Sequence, residues 1–136
     1  MNHFNGHITK LQTGEQLILI EVEAQGLQFT GVLMDQEGYQ GLEIGQPISV
    51  MFNATELFLA KDLAGEISIR NRFHGTVRQV DRGEVLSKIT LQCGQADLVS
   101  IITTASAERL GCQPGAELTA LLKTNELLFD LNPTHE

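Results

Sequence analysis

Apolar and polar residues alternate with a period of two along much of the chain. Val85, Ser87, Ile89, Leu91 and Cys93 fall on one side of an extended segment, with Leu86, Lys88 and Thr90 on the other. That is the pattern of a strand with one buried face. Ile18, Ile20, Val22 and Ala24 alternate with Leu19, Glu21 and Glu23 in the same way. Phe29 to Met34, Ile48 to Asn53, Leu98 to Thr103 and Leu118 to Lys123 are further strand candidates. The stretch TTASAERLG, Thr103 to Gly111, breaks the alternation and predicts one short helix. Thr103 or Thr104 can cap its start and Gly111 its end. Gln113 to Gly115 (QPG) then turns the chain into the next strand.

These elements occur twice. Asn2, Phe4, Gly6, Gly14, Glu15, Leu17 and Ile20 recur 69 positions later as Asn71, Phe73, Gly75, Gly83, Glu84, Leu86 and Ile89. Gly41, Gly45, Glu56 and Leu57 recur 70 positions later as Gly111, Gly115, Glu126 and Leu127, so the second copy has one inserted residue. The repeated glycines sit where turns are needed. The reading is two copies, residues 1–64 and 65–131, and a short tail, 132–136. Each copy holds about five short strands and one helical turn. The fold expected is therefore all-β, two five-stranded OB-like barrels in tandem, each with a short helix. A barrel of roughly 65 residues has a thin core, so an oligomer is expected.

Composition narrows the function classes. The chain of 136 residues is 42% hydrophobic and 19% charged, which argues against disorder. No apolar run approaches a spanning length and the N-terminus lacks a secretory segment, so a cytoplasmic location with no membrane partner is the default. Cys93 and Cys112 have no CxxC spacing and read as small buried hydrophobes. A formal net charge of −8 with one tyrosine and no tryptophan argues against a nucleic-acid partner. The chain has no phosphate loop, GxSxG, HExxH or paired CxxC, so neither catalytic residues nor a cofactor are assigned and the expectation is a non-enzyme. His3 and His7 would share a strand face, but solvated polar positions account for them and no metal cation is assigned.

Charge placement is more informative. Residues 1–65 hold Lys10 and Lys61 against eight acids, whereas every arginine lies in the second half. In ISIRNRFHG, Ser68 and Arg70 alternate on an extended segment and would point the same way. A hydroxyl beside a guanidinium suits a tetrahedral oxyanion. Lys123 and Thr124 close a strand, and Thr103 and Ser106 flank the helix start. Each has a plainer reading: Thr103 and Ser106 as caps, Lys123 as a snorkelling surface group, and Arg70 paired with Glu66 or Glu126. Arg72 is expected to face the opposite way from Arg70 and is treated as surface.

The order SIRNRFHGTV, IITTASAERLGCQPGAEL and ALLKTNELLF resembles a Mop (molybdate/pterin-binding) domain of the TOBE superfamily. The resemblance rests on Ser68-Ile69-Arg70-Asn71, with Ile69 in place of the family's alanine, on Ile102-Thr103, Ser106, Leu110-Gly111 with Gly115, and on Lys123. It covers nearly the whole second copy. In the first copy the lysine, threonine and serine positions correspond, at a shift of 70, to Asn53, Leu33 and Gln36, and Arg70 has only Met1. Met51 to Ala54 (MFNA) resembles the lysine-lacking repeat of molybdate-responsive regulators. The resemblance implies a stand-alone tandem Mop protein that stores or buffers molybdate, and often tungstate, as a homotrimer with oxyanions at sites between barrels. Ser68, Arg70, Thr103, Ser106 and Lys123 would bind the anion, with backbone N–H groups near Ile69 and Thr124. Asn71 and Phe73 recur in both copies and are expected to be scaffold. The alternatives are a ligand-free regulatory or interaction module and an OB-type nucleic-acid binder.

Overall fold

The computed structural model describes residues 1–34 and 41–131. The first repeat contributes β1 (Asn2–Thr13), β2 (Leu17–Ala24), β3 (Leu27–Met34), β4 (Pro47–Phe52) and β5 (Phe58–Ala60). The second contributes β6 (Asn71–Arg82), β7 (Leu86–Cys93), β8 (Ala96–Thr103), β9 (Glu117–Leu122) and β10 (Leu128–Asp130), with helix α1 (Thr104–Arg109) after β8. Single 3-10 turns, Ala54–Glu56 and Thr124–Glu126, precede β5 and β10. The helix expected in the first repeat, with Gln36, and the tail from Asn132 lie outside the described residues.

Period-two patterning translates directly into burial. Ile18, Ile20, Val22 and Ala24 of β2 are buried, as are Ser87, Ile89, Leu91 and Cys93 of β7. β1 and β6 are long because each serves two partners. The first half of β1 pairs with β4 and the second half with β2, and β6 does the same with β9 and β7. The registers shift at matching places, between Ile8 and Lys10 and between Val77 and Gln79. A bulge there bends the strand so that one sheet can curl into a barrel wall.

The two antiparallel sheets do not follow the repeat boundary. Their orders are β10-β4-β1-β2-β3 and β5-β9-β6-β7-β8, so the last strand of each repeat joins the other repeat's sheet. Packing explains the exchange. Gly31 of β3 has no side chain, and the ring of Phe129 from β10 occupies the space a Cβ would need. On the other side, Ser100 Oγ of β8 donates to the Leu57 carbonyl before β5, at 2.6 Å. Both repeats share one continuous apolar core, joined across the repeats by Phe29 and Phe73 with ring centroids 5.0 Å apart.

The Asn-x-Phe-x-Gly frame is scaffold in both copies. Asn71 Oδ1 accepts from the Thr30 N–H at 2.7 Å, and its Nδ2 donates to the carbonyls of Thr30 and Leu122 at 2.9 and 3.0 Å. Asn2 repeats the clamp on Val99, donating at 2.9 Å and accepting at 2.8 Å. β3 and β8 are edge strands, and each asparagine satisfies backbone groups on the unpaired edge of the other repeat. A Cβ on Gly6 would strike the Glu23 carbonyl, and one on Gly75 the Gln92 carbonyl and Cys93 Sγ.

Candidate functional site

The antiparallel pairing of β6 with β9 sets Asn71 opposite Leu122, so Arg70 and Lys123 each lie one residue beyond the paired end, side by side. Lys123 is extended (φ −71°, ψ 148°), exposed, and precedes the 3-10 turn that carries Thr124. Among the described residues no hydrogen bond or ion pair engages its ammonium. Ser68 is exposed, in a bend rather than on a strand, because regular pairing begins only at Asn71. Asp62 and Gly65, at φ 56° and 87°, turn the chain between β5 and β6 and prevent an extended run. The expected alternation of Ser68 and Arg70 on one strand is therefore replaced by an irregular approach.

Arg70 pairs with neither Glu66 nor Glu126. Its Nη2 donates to Glu21 Oε2 at 3.1 Å, across to β2 of the first repeat. Nothing in the sequence flags this contact, which spans 49 residues and joins two repeats. Arg72 is also exposed and reaches the Gly65 carbonyl at 3.5 Å, so its partner rather than the side it faces separates it from Arg70. Arg78 and Arg82 are held by Asp97 and Glu108.

Thr103 and Ser106 lie elsewhere. Thr103 is the N-cap of α1, and its hydroxyl accepts from the Ser106 N–H at 3.1 Å. Ser106 Oγ accepts from Arg109 Nη2 at 3.3 Å. Each hydroxyl serves as acceptor in these contacts, which leaves its own proton free to donate. Thr104 ties the helix start to the β6–β7 hairpin: its hydroxyl donates to the Gly83 carbonyl at 2.7 Å and meets Ser87 Oγ at 2.8 Å. With Leu86 opposite Thr103 and Arg82 opposite Ser87, this group flanks the far end of β6. Arg70 precedes the near end. The 12 residues of β6 place the two groups roughly 36–40 Å apart along the strand path. The register thus puts Arg70 and Lys123 at one end of β6 and Thr103 and Ser106 at the other.

The structure also sets the correspondence between repeats. Leu17 pairs with Met34 just as Leu86 pairs with Thr103, so Thr103 has Met34 as its counterpart rather than Leu33. The inserted residue falls after β3. Asn53 precedes its 3-10 turn as Lys123 does, and Met1 precedes β1 as Arg70 precedes β6. The first repeat therefore carries Met1, Met34 and Asn53 where the second has Arg70, Thr103 and Lys123.

Other candidates are weaker. His3 and His7 lie four residues apart on β1, about 13 Å along a strand and too far to share one ion. His7 instead faces Glu23 at 3.6 Å. Among the described residues no three His, Cys, Asp or Glu side chains converge as a metal site. Cys93 is buried, and burial with the nearby Asp97 carboxylate pushes its thiol up to about 12. Burial also raises the Cys112 thiol, partly opposed by Lys61. High thiol pKa values leave little thiolate for chemistry.

Comparison with known proteins converges on one family. The TOBE domain model matches residues 67–129, the second repeat. The chain is 40% identical over 64 residues to molybdenum-pterin-binding protein 3 of Clostridium pasteurianum, covering 46% of this chain and 94% of that protein. It is 30% identical over 126 residues to the molybdenum transport protein ModE of Herbaspirillum seropedicae, covering 90% of this chain and 47% of the relative. A similar match, 29% over 126 residues, is to the molybdenum-pterin-binding protein MopA of Rhodobacter capsulatus. The chain thus spans about half the length of these two relatives, 47% and 48%. In fold it superposes on the cytoplasmic molybdate-binding protein ModG, solved with molybdate bound, with a TM-score of 0.90, 24% identity and 96% of each chain covered.

Proposed function

Because the chain belongs to the TOBE-domain family of molybdenum-pterin-binding (Mop) proteins, we propose that it captures molybdate reversibly, as an intracellular store or buffer. The observation that carries this reading is the adjacency of Arg70 and Lys123 in the second repeat, where the first repeat has Met1 and Asn53. Two cations offset the charge of a dianion, and the guanidinium supplies planar donors. Ser68, Thr103 and Ser106 add hydroxyl donors, and the N–H groups of Ile69 and Thr124 complete the shell that a desolvated dianion demands.

The separation of the two donor groups along β6 favours a site shared between copies, with Arg70 and Lys123 from one chain and Thr103 and Ser106 from another. A homotrimer is the assembly we assign. Association of copies, though not their number, has support in exposed apolar side chains that occur as matched pairs, Leu17 with Leu86 and Phe58 with Leu128, between 46% and 52% exposed. Anion binding at such an interface stabilises the assembly by mass action. Tungstate shares the geometry of molybdate and is expected to bind, whereas sulfate, also a tetrahedral dianion, is rejected by size.

Calorimetric titration of the purified protein with molybdate, tungstate and sulfate tests the reading. The expected result is saturable binding of the first two and little of sulfate, abolished or weakened by at least tenfold in Arg70→Ala. Absence of both heat and thermal stabilisation with molybdate and tungstate would overturn the function. Unchanged affinity in Arg70→Ala would overturn the site.

A further inference from the structure

We propose that Glu21 is the built-in counter-ion of the oxyanion site, limiting its affinity by neutralising Arg70; the inference rests on the function proposed above.

The pair is anchored on its acidic side. The Glu21 side chain is 16% exposed, on β2, whereas the Arg70 side chain is 54% exposed. Glu21 is therefore the fixed member and Arg70 the movable one. The surroundings hold them in register. Glu21 pairs with Thr30 across β2 and β3, and Thr30 is the residue clamped by Asn71, next to Arg70. The residue that follows Arg70 is thus bonded, through its side-chain amide, to the strand beside Glu21.

The contact uses one donor of the fork, Nη2, and leaves the others available. An anion approaching those donors meets a guanidinium whose charge is already offset. Glu21 is also absent from the symmetric place: its counterpart is Thr90, opposite Val99 as Glu21 is opposite Thr30, and the counterpart of Arg70 is Met1. The carboxylate occurs only where the arginine does. A reversible store gains from this arrangement, because an unopposed Arg–Lys pair would hold the dianion more tightly and release it more slowly.

The test is titration of wild type and Glu21→Gln with molybdate at low and at high NaCl. Glutamine keeps the shape and can still accept from Arg70, but removes one negative charge. That charge lies about 7 Å from the dianion if the anion sits on the opposite side of the guanidinium, so in a water-like dielectric its removal tightens binding roughly five- to tenfold. The gain shrinks at high salt, as screening requires. Glu21→Thr, which installs the residue of the other repeat, is expected to give a similar gain, and far-UV circular dichroism checks that both variants are folded. A purely structural role for Glu21 predicts the opposite sign. Unchanged or weaker binding in both variants, with wild type binding molybdate, overturns this proposal alone. If wild type itself binds neither molybdate nor tungstate, the functional reading falls and this proposal falls with it.

Discussion

Replacing Asn71 by alanine removes the side chain that clamps the repeats at the start of β6. Asn71 is 1% exposed and makes three hydrogen bonds, two to Thr30 and one to Leu122. A typical intramolecular hydrogen bond contributes about 1 kcal/mol net, and a buried group left without a partner costs about 1–3 kcal/mol. Alanine leaves the Thr30 N–H without its acceptor, on an edge strand that offers no replacement. The expected loss is about 3–4 kcal/mol, a large share of the 5–15 kcal/mol typical of a domain. Asn2→Ala is the internal control. It removes two bonds, to Val99, at a partly buried place, and is expected to cost about 2 kcal/mol. Urea unfolding followed by far-UV circular dichroism measures both, since the chain has no tryptophan. Protomer concentration must be equal throughout, because assembly shifts apparent stability. A loss below about 1 kcal/mol for Asn71→Ala, or one no larger than that of Asn2→Ala, refutes the clamp.

Two further predictions use the same assay. Gly75→Ala places a Cβ against Cys93 Sγ and the Gln92 carbonyl, and since a backbone oxygen cannot swing aside, a loss of at least about 2 kcal/mol is expected; near-neutral behaviour would show that β6 and β7 can separate there. Cys93 predicts an alkaline effect: burial, then Asp97, raise the native thiol to about 12, whereas the unfolded thiol titrates near 9.0. Between those values the native state binds more protons, so stability falls as pH rises, by up to about 1.4 kcal/mol per unit, and the term is constant below pH 9. Unfolding midpoints of wild type and Cys93→Ala across pH 8 to 11 should diverge, and parallel slopes would refute the assignment.

Strand positions and the helix were legible because burial on one face imposes a period of two, and capping imposes Thr103 before α1. The repeat was legible because the same close approach of the neighbouring strand requires glycine at Gly6 and Gly75, although neither sits in a turn. Strand exchange was not: Phe58 to Ala60 and Leu128 to Asp130 are only three residues each, too short for periodicity to choose a partner sheet. A uniform shift of 70 places the inserted residue one strand too early for a related reason, since Leu33 and Met34 are both apolar and only the register with Leu17 separates them. In the candidate site, residue types pointed to Arg70 and Lys123, and the β6–β9 register sets them side by side. The Glu21 contact and the distance of Thr103 from Arg70 are tertiary facts, invisible along the chain.

The exchange of terminal strands bears on how the chain is born. The first repeat's sheet has β10 as its outer strand beside β4, so that sheet stays open until Asp130 has been synthesised. Translation at about 5–20 residues per second adds the 78 residues that follow Phe52 up to Asp130 in about 4–16 s. Throughout that interval the nascent first repeat displays the β4 edge, with Val50 and Ser49 awaiting Phe129 and Asp130. A vectorially made chain with this topology cannot complete its halves one after the other. Its two barrels close together, once β10 has been made.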